Sequence, residues 1–155
     1  MTNEKPHIVV LGAGSVGCFI GGAWAAAGLK VSFLGRERIR DDVKASGLSL
    51  SDYSGWRMHL AHDRVQFSTK PTILSEADII LVTVKSTATW DAAKQIGRHA
   101  RKGVMVISFQ NGVSNAEMLR AQLRRFRVVQ GMVPFNVAYL GQGRFHKGTS
   151  GDLVA

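Results

Sequence analysis

Short apolar runs alternate with longer, helically spaced ones along most of the chain. Residues 7–11 (HIVVL) are continuously apolar and rich in β-branched side chains, as in a strand buried on both faces, and Gly12 ends them. Residues 15–27 are rich in alanine, with Val16, Phe19, Ile20, Ala23, Trp24 and Ala27 at helical spacing. Gly28 supplies the stop, because glycine tolerates the left-handed backbone of a helix cap. Residues 30–34 (KVSFL) form a second strand, so the chain opens as strand, glycine turn, helix, strand, expected to be a parallel pair with a crossover. A short polar helix over 38–46 follows, then short strands at 48–50, 57–60 and 65–67 around a turn at 52–55. Residues 78–84 (DIILVTV) predict a buried strand, 87–99 a helix, 104–109 (VMVISF) a strand, 114–125 an amphipathic helix and 127–130 a strand. After Gly131 the pattern turns β-rich, at 133–140 and 144–147. This alternation predicts an α/β, Rossmann-like, doubly wound and mostly parallel sheet with helices on both faces. One domain over residues 1–155, with a β-rich closing segment at about 131–155, is the expected organisation.

Composition narrows the class. The 155 residues are 45% hydrophobic, which excludes wholesale disorder. Cys18 is the single cysteine, so no intrachain disulfide and no cysteine-based zinc site is available. No apolar run approaches the roughly 20 residues of a membrane span, and MTNEKPH leads directly into the first strand without a secretory signal. A cytoplasmic protein is expected. Twenty Lys and Arg against eleven Asp and Glu leave a net charge of +9, which attracts nucleic acid, an acidic membrane or a phosphorylated cofactor. Placement favours the cofactor: Arg36, Arg38 and Arg40 arrive together directly after the second strand. A second cluster, Arg120, Arg124, Arg125 and Arg127, reads as a solvated face.

Gly12, Ala13, Gly14, Ser15, Val16 and Gly17 match GxGxxG between a predicted strand and a predicted helix, the context that its chemistry requires. Gly12 permits the tight turn, Gly14 lets a pyrophosphate approach the backbone, and Gly17 allows close helix–strand packing. The helix amides and dipole then hold the phosphate charge. A Walker loop is excluded, because Cys18 and Phe19 stand where Lys and Ser/Thr are required. At the end of the second strand, where an NAD site carries Asp or Glu for the ribose 2′-hydroxyl, the chain has Gly35 and Arg36. A guanidinium grips a 2′-phosphate in bidentate fashion, which favours NADP, with Arg38 as a second contact. The alternative is that Glu37 takes the ribose while Arg36 faces water; FAD would want the same carboxylate.

Two polar pairs stand where later strands end, the place where open α/β sheets hold their ligands. Lys85-Ser86 follows DIILVTV, and Gln110-Asn111-Gly112 follows VMVISF. Lys85 can meet a carboxylate or carbonyl, and Asn111 offers both a donor and an acceptor; the plainer alternatives are a solvated strand end and a turn signal. No Gly-x-Ser-x-Gly nucleophile occurs, and His59, His62 and His146 lack the partners of a metal site, so no metal is expected. Cys18 reads as a packing residue, and Phe19, Trp24, Phe33 and Phe109 as core.

In order, VVLGAGSVGCFIGG, VSFLGR, ADIILVTVKS, ISFQNGV, GMVPFNV and FHKGTSG resemble the ketopantoate reductase (2-dehydropantoate 2-reductase) family over essentially the whole chain. The resemblance implies NADPH-dependent reduction of 2-dehydropantoate to pantoate, on the way to pantothenate and coenzyme A. It implies that Gly12, Gly14 and Gly17 cradle the pyrophosphate and Arg36 meets the 2′-phosphate. Lys85 would line the cofactor cleft and Asn111 would lie near the nicotinamide and substrate, both as auxiliary catalytic groups. The family continues into a second, mainly helical domain that carries its general-acid lysine, so no residue of these 155 inherits that role. The expected partner is a small 2-keto acid, with no nucleic acid or membrane; a non-catalytic NADP-binding module, action on another 2-keto acid and self-association stay open.

Overall fold

The computed structural model describes residues 4–155, so the first three residues of MTNEKPH lie outside it. Strands β1 (His7–Leu11) and β2 (Lys30–Leu34) flank helix α1 (Ser15–Ala26), and helix α2 (Glu37–Ser46) follows. Strands β3 (Leu48–Asp52), β4 (Arg57–Leu60) and β5 (Gln66–Ser68) come next. Then β6 (Ile79–Val82), α3 (Thr89–His99), β7 (Met105–Ser108), α4 (Val113–Gln122) and β8 (Arg127–Gln130) alternate before the closing pair β9 (Val137–Gly141) and β10 (Arg144–Lys147). Six strands form one parallel sheet in the order β5-β2-β1-β6-β7-β8. The chain winds outward from β1 to β2 and β5, then restarts on the other side at β6. The switch point therefore lies between β1 and β6, and the doubly wound fold read from the sequence is present.

Alternate residues of the central strands feed opposite cores, as the twofold pleat dictates. Val9, Leu11, Ile80 and Val82 pack with Ala93 and Ile96 of α3 and Leu119 of α4. Ile8, Val10 and Leu81 pack with Phe19 and Ile20 of α1 and with Leu48, Leu50 and Phe145 of a second sheet. That sheet, of order β4-β3-β10-β9, is a finding that the alternation did not predict. It explains why α1 is apolar all round and buries six consecutive residues, Gly17 to Ile20 and then Gly21 and Gly22. A Cβ on Gly21 would strike Phe33 and Val10 of the parallel sheet, and one on Gly22 would strike Leu48 of the second. The helix lies between two sheets, with glycines where each approaches.

Several boundaries differ from expectation, each for a local reason. The strand read over 78–84 ends at Val82, because Thr83 turns its hydroxyl to the Gly12 carbonyl (2.8 Å) and Val84 crosses the glycine turn. The helix read from 87 starts at Thr89 after a 3-10 turn, Ser86–Ala88. The helix read to 125 stops at Gln122: Leu123 leaves helical geometry and is buried, so Arg124 and Arg125 sit in the following turn. The strand read over 104–109 is Met105–Ser108, and that read over 65–67 is shifted to Gln66–Ser68. The strand read from 133 begins at Val137, since Pro134 has no N–H and Phe135 turns into the core. Strand β3 runs two residues beyond Leu50 because β10 pairs with it in parallel. Helix α1 ends one residue earlier and α2 starts one residue earlier than expected. The 3-10 turns His62–Arg64 and Pro71–Glu76 were not anticipated.

Candidate functional site

The glycine turn sits at the carboxyl end of β1, beside the switch point. Its three glycines are constrained in different ways. Gly12 has φ +97°, and a Cβ there would lie 2.5 Å from Val84 Cγ1 and 2.6 Å from Val84 N. A Cβ on Gly17 would lie 2.5 Å from Thr83 Oγ1 and 2.8 Å from the Gly12 carbonyl oxygen. Gly14 is different: the nearest atom to its Cβ would be the Gly12 carbonyl oxygen at 4.0 Å, and the residue is exposed. The protein's own packing therefore does not require glycine at position 14. Gly14 caps α1 without any side-chain hydrogen bond to the first turn, where Ser15 and Val16 lie half-buried. The amides of such a first turn have no intrahelical acceptor.

The end of β2 is tied directly to this turn. The Leu34 carbonyl accepts from both Gly12 N–H and Ala13 N–H, each at 3.0 Å. A Cβ on Gly35 would lie 3.1 Å from Ala13 Cβ and from the Ala13 carbonyl oxygen, a tight approach that favours glycine and that sequence reasoning missed. Arg36 follows as the extended residue before α2; it is exposed, and its side chain has no hydrogen-bond or ion-pair partner among the described residues. Glu37 opens α2 and is exposed too. Arg40 is already engaged with Asp41 at 2.9 Å, which leaves Arg36 and Arg38 as the guanidiniums of the cluster without a partner among the described residues.

Across the switch point, a cavity of about 320 Å³ is lined by Val16, Lys85, Ser86, Phe109, Asn111 and Phe135, among others. Lys85 and Asn111 thus line one cavity, to which the first turn of α1 contributes Val16. Both polar residues are exposed. Beneath them runs a buried set of hydrogen bonds that joins their two loops. Ser108 Oγ meets Gln110 Oε1 at 2.9 Å. Gln110 Nε2 donates to the Val84 carbonyl (3.0 Å) and to Thr89 Oγ1 (2.8 Å). Thr89 Oγ1 meets Asn115 Oδ1 at 2.9 Å. Asn115 Nδ2 donates to Ser86 Oγ (3.0 Å) and the Asn111 carbonyl (2.7 Å). Thr89, Ser108, Gln110 and Asn115 are all buried. Of these only Gln110 was noticed from sequence; polar residues in the first turns of α3 and α4 were the available signal.

The other candidates lie elsewhere or are inert. Cys18 is fully buried, its thiol is pushed far above the usual range by that burial, and it contacts the Ala13 carbonyl as a packing group. Phe19, Phe33 and Phe109 are core, and Trp24 packs against it half-buried. His59 and His62 are exposed; His59 meets Ser49 and His146 meets Ser51 in the second sheet. A larger cleft, about 520 Å³, opens near Gly28, Lys30, Arg64 and Gln66, around the amino end of β2 and away from the switch point. No helix among the described residues is long and apolar enough to cross a membrane.

A parallel sheet wound both ways from β1, with a glycine turn at the switch point, defines an α/β domain of the Rossmann type. The chain belongs to the ketopantoate reductase PanE/ApbA family, whose sequence profile matches residues 8–155. It is 31% identical over 153 residues to a 2-dehydropantoate 2-reductase of Halobacterium salinarum, covering 96% of this chain and 48% of that protein. The crystal structure of a PanE/ApbA family ketopantoate reductase from Ralstonia eutropha superposes with a TM-score of 0.86 at 33% identity, over 95% of this chain and 48% of that one. The fold is also shared with a D-mandelate dehydrogenase solved with NADH and anilino(oxo)acetate, at TM-score 0.76 and 18% identity, over 95% of this chain and 47% of that one. The chain spans about half the length, or less, of the curated relatives it matches.

Proposed function

We propose that this chain is the cofactor-binding portion of a cytoplasmic enzyme that uses NADPH to reduce 2-dehydropantoate to pantoate. One observation carries the cofactor part: Gly14, at the uncapped start of α1, leaves a space that a Cβ would fill and that none of the described residues occupies. A diphosphate fits such a cradle, because first-turn amides and the helix dipole favour negative charge. Gly12 and Gly17 keep the turn in shape, while Ala13, Ser15 and Val16 supply its backbone. Arg36 supports the choice of NADP: its guanidinium has no partner among the described residues and follows Gly35, which packs against Ala13.

When bound, the nicotinamide supplies hydride to the C2 carbonyl of the keto acid. Lys85, which lines the cavity, would attract the carboxylate and stabilise charge developing on the carbonyl oxygen. Asn111 would orient the reacting groups through its amide. Phe109 and Phe135, which also line the cavity, would exclude water. The residues proposed for the chemistry are thus auxiliary.

Calorimetric titration with NADPH and NADH tests the reading. Arg36→Ala is expected to weaken NADPH by about 1.5–3 kcal/mol, the size of a charge-assisted hydrogen bond, and to leave NADH unchanged. Glu37, exposed beside Arg36, motivates the second reading, NAD selected through a ribose–carboxylate contact. Equal affinity for both coenzymes in the parent chain, with NADH weakened by Glu37→Ala, would replace the first reading by the second.

A further inference from the structure

The buried hydrogen bonds below the cavity have only one consistent direction, and it ends on a residue with no assigned role. The Val84 carbonyl can only accept, so the Gln110 atom facing it is the amide nitrogen, and Gln110 Oε1 must face Ser108. The Asn111 carbonyl likewise forces the nitrogen of Asn115 toward it and Asn115 Oδ1 toward Thr89. Thr89 must therefore donate to Asn115 and accept from Gln110. The donor order runs from Ser108 through Gln110, Thr89 and Asn115 to Ser86 Oγ, which accepts at 3.0 Å. The Ser86 hydroxyl proton is the one left over: it has no protein acceptor among the described residues, and Ser86 lines the cavity between Lys85 and the Asn111 loop.

We propose that Ser86 is a ligand-contacting residue whose hydroxyl is fixed as a donor toward an acceptor oxygen in the cavity. Thr89 is the positioning residue that sets the direction. The inference rests on the reductase reading only for the identity of the ligand. That oxygen belongs either to the nicotinamide half of the coenzyme or to the keto acid's carboxylate. Either source meets a neutral donor beside the Lys85 ammonium. Ser86 is exposed, and the Asn115 amide that donates to its Oγ directs the hydroxyl proton away from Asn115.

The test compares NADPH with 2′-phospho-ADP-ribose, which lacks the nicotinamide, and then titrates 2-dehydropantoate into the NADP-saturated chain. Ser86→Ala is expected to weaken either NADPH or the keto acid about tenfold, the scale of one hydrogen bond, while 2′-phospho-ADP-ribose binds as before. Loss with NADPH assigns the contact to the coenzyme; loss only with the keto acid assigns it to the substrate. Thr89→Val, which keeps the volume but removes the hydroxyl, should reproduce the loss, and Thr89→Ser should restore binding. Unchanged binding of both ligands in Ser86→Ala overturns the proposal, as does equal weakening of 2′-phospho-ADP-ribose. Amide exchange separates the two readings: Thr89→Val should speed exchange at residues 85–88 and 111–113 in the free chain even if the parent chain binds no NADPH. That pattern would sink the reductase reading and the Ser86 contact while keeping the positioning role of Thr89.

Discussion

Two neighbouring regions at the carboxyl end of the parallel sheet are held in shape by different means. The turn from Gly12 to Gly17 is built from backbone and from missing side chains: the Leu34 carbonyl holds two of its amides, and Val84 and Thr83 occupy the places where two Cβ atoms would stand. The facing loops, at residues 83–88 and 109–112, are held by side-chain amides and hydroxyls in a fully paired set, and no buried side-chain polar atom among the described residues lacks a partner. A backbone-built turn is sensitive to added volume and indifferent to polarity. A side-chain-built joint is sensitive to a lost donor or acceptor. Substitutions should therefore separate the two.

The largest effect is expected at Gly17. Gly17→Ala places a methyl 2.5 Å from Thr83 Oγ1 and 2.8 Å from backbone oxygen, and overpacking of this kind costs about 3 kcal/mol in urea unfolding. Gly14→Ala, three residues away, should cost at most about 1 kcal/mol as an exposed cap, yet weaken NADPH about tenfold or more. Equal destabilisation by both would mean that Gly14 is structural. Gln110→Leu comes next: it strands the Val84 carbonyl and the Ser108 hydroxyl and removes the donor to Thr89, which keeps its bond to Asn115, at about 2–3 kcal/mol, with faster amide exchange confined to the two loops.

How legible these regions were follows from the same contrast. Strands β1, β2, β4 and β8 have the limits read from apolar runs, and the glycine spacing located the turn, because both signals are local. The joint is not local: Thr89 meets Asn115 across 26 residues, and nothing in a helix's first turn says which hydroxyl faces which amide. Nor is the second sheet, where Ser51 meets His146 across 95 residues and β10 lies parallel to β3. Its imprint was nonetheless present in α1, whose apolar residues and glycines run all round the helix, as a helix between two sheets requires.

The smallest effect concerns pH and lies at the other end of the sheet. His7 is buried, and desolvation, helped by the nearby Lys30 charge, lowers its pKa below the ordinary 6.5 against the opposing pull of Glu76 and Asp78. Between the lowered value and 6.5 the unfolded chain binds more protons than the folded one, so stability rises with pH across that window and falls on acidification. Asp78, held below its ordinary 3.8 by the His7 backbone N–H and Arg101, loses its contribution only at lower pH. Urea midpoints should therefore drop modestly from pH 7.5 to about 5.5, and the drop should shrink in His7→Gln. NADPH affinity should not follow that change, since His7 stands at the opposite end of β1 from the glycine turn.

The most direct measurement is a crystal structure of the chain with NADPH. The account predicts diphosphate oxygens over Gly14 within hydrogen-bond distance of the first-turn amides of α1, and the 2′-phosphate on the Arg36 guanidinium. Coenzyme seated instead in the cleft beside Lys30 and Arg64, or a glycine turn left empty at saturating NADPH, would contradict it.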